Sequence, residues 1–182
     1  MSAPQDWLKQ GRTPWFERTF SYDTPSNDLH EVLCRLAGTP VRLEELVAGL
    51  DAAALTRRVD DTWSAQENIG HLLDLEPLWV GRTADLLERR EELRAADLSN
   101  TTTHGARHNE ANLDGLLATF RSVRGDWLRS LRQFDDDQIR YAAQHPRLGT
   151  PMRIIDLAEF VAAHDDHHIA RVHELCGWEP TG

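Results

Sequence analysis

Apolar residues return every third or fourth position along most of this chain, and strict alternation is rare, which predicts helices rather than strands. In "NDLHEVLCRLAGTPVRLEELVAGL" the helical spacing is carried by Leu29, Leu33, Leu36, Leu43, Leu46 and Leu50. Gly38 and Pro40 interrupt that run and predict a kink or break, since proline removes an amide donor and crowds the preceding turn. Ser64 followed by Glu67 fits a capping box, so a second helix starts beside Trp63, runs to about residue 93 and bends at Pro77. "RAADLSNTTTHGARHNE" reads as a loop. A third helix spans roughly Glu110 to Phe134, with Leu113, Leu116, Leu117, Phe120, Val123, Trp127, Leu128 and Leu131 as its apolar set. Thr150 and Pro151 make an N-cap and first-position pair opening a fourth helix that ends at "CGWEP". The prediction is an all-α chain: an antiparallel four-helix bundle over residues 27–182, preceded by an arm over residues 1–26.

The arm has little periodicity but holds Trp7, Trp15, Phe16, Phe20 and Tyr22. Its aromatics predict packing over the bundle or against a second subunit, with Trp15 and Phe16 buried. At 182 residues the chain suits one domain with a real core. A formal charge of −10 argues against nucleic acid and against an anionic membrane surface, both of which need surplus Lys and Arg. No stretch approaches the roughly 20 apolar residues of a membrane span, and no signal peptide is evident. Cys34 and Cys176 form no CxxC pair and read as buried thiols. The expectation is a cytoplasmic protein, with a homodimer as the default assembly and a small molecule as substrate.

The run "AEFVAAHDDHHIARVHEL" concentrates the candidate chemistry. At about 100° per residue, with His164 at zero, Leu157, Val161, His168, Val172 and Leu175 fall within roughly 20–80°. His164 and His168 therefore face the interior one turn apart, His167 lies off the stripe, and His173 points away. Asp165 and Asp166 read as surface charges. On the second helix His71 shares a face with Asn68, Leu75, Leu78, Trp79 and Leu86. Two histidines at i and i+4, with a third from a facing helix, can converge on one cation and leave positions open for water or substrate.

"WSAQENIGHLLDLE", followed by "HPRLGTPMRIIDLAEFVAAHDDHHIARV", resembles the DinB/YfiT-like superfamily of metal-binding four-helix bundles over roughly residues 28 to 176. The resemblance implies a divalent metal held by His71, His164 and His168. It also implies a metal-dependent enzyme, either a hydrolase or a transferase or isomerase using a low-molecular-weight thiol such as bacillithiol or mycothiol. Imidazole ligands suit zinc and nickel, with manganese or iron as further options. The competing class is a non-catalytic, stress- or damage-associated bundle that binds a metal or small ligand. Asp74, Glu67 and His167 are the candidates for orienting an imidazole or moving a proton. His104 and His108 form a second i, i+4 pair in the loop, which would cover the site, and His145 sits near the bundle mouth. No nucleophile elbow, P-loop or dinucleotide fingerprint competes.

Overall fold

The computed structural model describes residues 12–177; Trp7 lies outside the described residues. In chain order it forms α1 (Leu29–Val47), α2 (Ala52–Thr56), α3 (Ala65–Asp74), α4 (Glu76–Leu87), α5 (Thr101–Gly105), α6 (Leu113–Leu131), α7 (Asp136–Arg140), β1 (Ala143–Gln144), β2 (Pro151–Met152) and α8 (Ile154–Cys176). The four bundle members are α1, the pair α3–α4, α6 and α8. The strands make one two-residue antiparallel ladder, Ala143 opposite Met152. No described helix is long and apolar enough to cross a membrane.

Several boundaries differ from the sequence expectation, each for a local reason. Pro40 does not break α1. The carbonyl its missing N–H leaves open belongs to Leu36, and Arg124 Nη1 donates to that oxygen at 3.3 Å. Pro77 coincides with a real break: α3 stops at Asp74 and α4 restarts at Glu76, with Leu75 between. The second helix ends at Leu87 rather than near residue 93, because Leu93 donates its backbone N–H to Gln144 O and runs extended beside β1. Thr150 and Pro151 do not open the fourth helix. Thr150 O accepts from His145 N–H in the β1–β2 hairpin, and the helix starts after Arg153, whose N–H is capped by Asp156 Oδ2 at 2.8 Å. The Ser64–Glu67 capping box forms as expected. Cys34, expected to be buried, is exposed, and Cys176 is half-buried.

Cross-links between helices fix their directions. Along α1 and α8, Ser26 meets Arg153, Thr39 meets Asp165 and Arg57 meets the Leu175 carbonyl, so these neighbours run the same way. Gln66 with Ala111, Glu76 with Arg124 and Thr83 with Trp127 make α3–α4 and α6 like-directed as well. The antiparallel contacts are α3–α4 against α8, from Asn68–His168 to Trp79–Phe160, and α1 against α6. Two helices therefore run each way. Like-directed consecutive neighbours need a connection as long as the bundle itself, and residues 88–112 supply it. This segment travels back along α4 and α3, and for that reason passes over whatever α3 presents to that side.

Two apolar clusters form the core. One gathers Leu33, Leu36, Trp79, Trp127, Leu131 and Phe160; the other gathers Leu43, Ile69, Leu72, Phe120, Ile169 and Val172. Between them in sequence on every bundle helix sits a fully buried polar residue: Thr39, Glu76, Arg124 and Asp165. Asp165 is thus no surface charge. It accepts from Arg124 Nη1 at 2.5 Å and from Thr39 Oγ1 at 2.7 Å. Arg124 also reaches Glu76 Oε1 at 2.7 Å. Burial works against the Arg124 charge, but Asp165 and Glu76 outweigh it and hold the guanidinium above its ordinary value. Burial pushes the Glu76 carboxyl up to about 7 against the pull of Arg124. Asp166 stays partly exposed and pairs with Arg35 and Arg42.

The arm packs as expected in one residue and not in the other. Trp15 is partly buried, edge-on to Phe160 at 5.1 Å and to His164 at 4.9 Å. Phe16 is 61% exposed, with the Arg147 guanidinium over its ring. Arg124→Met should lower unfolding stability by about 3–5 kcal/mol in urea, because it strands two buried carboxylates. Arg121→Ala, which removes a surface pair with Glu44, should leave the midpoint near wild type. A loss below about 1 kcal/mol for Arg124→Met would show that the polar layer does not hold the helices together.

Candidate metal centre

The break at Leu75 and the inward face of α8 bring His71, His164 and His168 together, all buried, with one ring nitrogen of each within 4.8 Å of the others. The Nε2 atoms of His164 and His168 are 3.2 Å apart. Two nitrogens bound about 2.1 Å from one tetrahedral ion stand about 3.4 Å apart, so this spacing fits a shared cation. The three rings pack at centroid distances of 4.5, 4.8 and 5.4 Å.

Hydrogen bonds behind the rings decide which nitrogen keeps its lone pair. Asn68 Nδ2 donates to the Ser64 and Trp63 carbonyls, which turns Asn68 Oδ1 toward His168 Nδ1 at 2.8 Å. An amide oxygen only accepts, so His168 carries its proton on Nδ1 and its lone pair on Nε2. Thr103 Oγ1 spends its one proton on Asp74 Oδ2 at 2.8 Å, so it accepts from His71 Nδ1–H at 3.0 Å. His71 likewise keeps its lone pair on Nε2. His164 Nδ1 is buried with no partner among the described residues, and its Nε2 faces His168. Two lone pairs at that distance repel unless a proton or a cation lies between them. The donor set therefore fits a metal.

Burial reinforces this. It lowers His71 to about 4, against the opposing pull of Asp74, and puts His164 and His168 well below the ordinary imidazole value. All three are neutral at pH 7 and available as ligands.

The remaining sequence candidates separate by position. Asp74 stands behind His71, accepting from Thr103 and from His108 Nε2 at 2.8 Å. His108 comes from the crossover segment and lies flat on Gly70, where a Cβ would meet its ring at 2.3 Å; only glycine permits that approach. Glu67 is spent: it caps Ser64 N–H at 2.9 Å and accepts from Arg58 Nε at 2.9 Å, and Arg58 holds its carboxyl down to about 2. His167 lines the cavity over the three rings, with Arg12 at 3.2 Å from its Nδ1. Burial and then Arg12 lower it to about 4. His104 lies on the cavity wall by Trp63, and His145 on another part of the wall. His173 is half-buried and outside the cluster.

The histidines open into a cavity of about 700 Å³ whose walls include Trp15, Trp63, Trp79 and Phe160. Sequence reasoning missed Thr103, Arg82 and Arg147 near this space and assigned no task to Asn68. Asn68 was visible on the His71 face of the second helix. Thr103 was not, because it stands in a segment without periodicity whose path depends on the directions of the helices it joins.

A model of the DinB superfamily matches residues 35–172. No curated protein matches the sequence. Among solved structures the chain is similar to YfiT from Bacillus subtilis, described as a probable metal-dependent hydrolase with an unusual four-helix bundle topology. The two share 20% identity at a TM-score of 0.73, over 89% of this chain and 95% of that one. It is also similar to the mycothiol-dependent maleylpyruvate isomerase, at 12% identity and a TM-score of 0.62, over 81% of this chain and 62% of that one. These structural likenesses speak for the fold, and the extent of the family match settles membership: the chain belongs to the DinB superfamily.

Proposed function

We propose that this chain is a metal-dependent enzyme for a small molecule, with His71, His164 and His168 holding one divalent cation at the base of the aromatic cavity. The observation that carries this reading is the pre-set tautomers: Asn68 and Thr103 turn two Nε2 lone pairs toward the third histidine. Imidazole donors favour zinc or nickel, then manganese or iron. Such a cation supplies Lewis acidity, letting a water or a thiol attack at neutral pH. The reaction class is hydrolysis, or transfer or isomerisation with a low-molecular-weight thiol. One structural neighbour is described as metal-dependent and another as mycothiol-dependent, which supports both options.

The chain's own residues supply the rest. Thr103 and Asp74 fix the His71 ring, and Asn68 fixes the His168 ring, as outer partners of ligating histidines generally do. Trp15, Trp63, Trp79 and Phe160 give the cavity a largely apolar wall against which a small molecule can pack. His167 also lines the cavity, with its Nδ1 lone pair held by the Arg12 guanidinium, which leaves Nε2–H as a donor toward a bound molecule. Glu67 takes no part, because Arg58 and the α3 cap occupy it.

Protein purified without an affinity tag should contain one equivalent of divalent metal by elemental analysis, reduced at least tenfold by His71→Ala, His164→Ala or His168→Ala. His173→Ala should retain it. Neutral imidazoles are the ligands and burial depresses their proton affinity, so occupancy should persist at pH 6 and fall as the pH drops toward about 4. Absence of stoichiometric zinc, nickel, manganese or iron in wild type would sink the reading. Thr103→Val keeps the shape but removes both hydrogen bonds, and should weaken metal affinity about 10–100-fold with the helical circular dichroism unchanged. Unaltered affinity in that variant would mean that the Thr103–Asp74 relay does not orient His71.

A further inference from the structure

The cavity is lined by more arginine than a chain of formal charge −10 leads one to expect, and the arginines are not equivalent. Arg12 and Arg171 pair with Glu174, and Arg58 pairs with Glu67. Arg82 and Arg147 have no carboxylate partner among the described residues. Arg82 is nonetheless buried, donating through Nε to the Arg94 carbonyl at 3.1 Å and through Nη1 to His145 Nε2 at 3.0 Å. Arg147 Nη2 is buried with no hydrogen-bond partner among the described residues. Burying a cationic group without a counter-charge is costly, so the buried Arg82 guanidinium and the buried Nη2 of the half-buried Arg147, on one cavity wall, point to an anion that completes them.

His145 shows the same surplus of donors. Arg82 Nη1–H points at its Nε2, while the backbone N–H groups of Arg147 and Leu148 both point at its Nδ1 at 3.2 Å. A neutral imidazole accepts at one nitrogen only, so its other nitrogen faces donors across a contact that is not a bond. Burial, then Arg82 and Arg147, lower His145 to about 4, which keeps a third positive charge from this wall. The Tyr22 hydroxyl is also buried without a hydrogen-bond partner among the described residues.

We propose that Arg82 and Arg147, with His145 positioning the Arg82 guanidinium, form a carboxylate-binding subsite that anchors an acidic substrate while its reacting end lies at the histidine cluster. A carboxylate gives two guanidinium groups two coplanar acceptors, the pairing arginine favours. Trp79 sets the span: its ring is 6.0 Å from the His164 ring, and the Arg82 guanidinium carbon is 5.6 Å from the same ring. A molecule of a few bonds therefore reaches both ends across an aromatic floor. The reacting-end half of this inference rests on the metal-dependent reading above; the anion subsite itself does not.

The test is a titration of the purified full-length protein with succinate and 3-phenylpropionate, each against its uncharged amide, followed by tryptophan fluorescence. It is run with zinc present and with chelator present. At least one carboxylate should bind at least tenfold more tightly than its amide in both conditions. Arg147→Gln should reduce that preference at least tenfold, and Arg147→Lys should restore part of it. Arg147 is half-buried on the hairpin, so its variants stay folded even where Arg82→Gln does not. No preference for either carboxylate over its amide, or an equal preference in Arg147→Gln, overturns the subsite. Inorganic phosphate displacing the probes more strongly than either carboxylate overturns the carboxylate assignment in favour of a phosphoryl group. Carboxylate preference retained in His164→Ala supports the subsite regardless of metal. Metal uptake without carboxylate preference removes the subsite alone, and carboxylate preference without metal uptake removes the metal reading alone.

Discussion

One buried guanidinium ties the bundle together. Arg124 donates to the carbonyl that Pro40 leaves open on α1, to Glu76 at the restart of the broken second helix, and to Asp165 on α8. These contacts come from three different helices, so a shift of any one relative to α6 strands a charge or a carbonyl in the core. Asp165 is the residue after His164, and Glu76 follows the break that ends the His71 helix. The register of the histidines is therefore coupled to the same polar layer. A salt bridge of this kind adds little stability over an apolar core of the same volume; its contribution is to admit only one arrangement of the helices.

The connectivity supplies the second constraint. Because α4 and α6 run the same way, the chain must return the length of the bundle between them. That return path is fastened by Arg94 to Asp85, by Thr103 and His108 to Asp74, and by Gln66 to the His108 and Ala111 carbonyls. A segment required only to connect two helices thus delivers Thr103 to the back of His71 and His104 to the cavity wall. The arm adds Trp15 against His164 from the other direction.

Much of this was legible in the sequence. Helical periodicity gave the bundle members, the Ser64–Glu67 box gave the start of α3, and projection alone turned His71, His164 and His168 inward. Pro40 misled because the rule that proline breaks helices assumes its orphaned carbonyl finds no other donor, and Arg124 is that donor. Arg124 lies within the apolar stripe of α6, four residues after Phe120 and three before Trp127. Asp165 sits four residues from both Val161 and Ile169, so the stripe signal was present there too. What periodicity cannot convey is that a charged residue in such a stripe has a buried partner on another helix. Helix direction was equally invisible, and with it the path of residues 88–112.

The most direct test of the central claim is X-ray absorption at the edge of the bound metal, on zinc- or nickel-loaded protein. Three imidazoles on one ion should give a first shell of nitrogen and oxygen only, with outer scattering from three rings that drops to two in His71→Ala. A first shell containing sulfur, which would bring in Cys34 or Cys176, or imidazole scattering that is the same in wild type and His71→Ala, would contradict it.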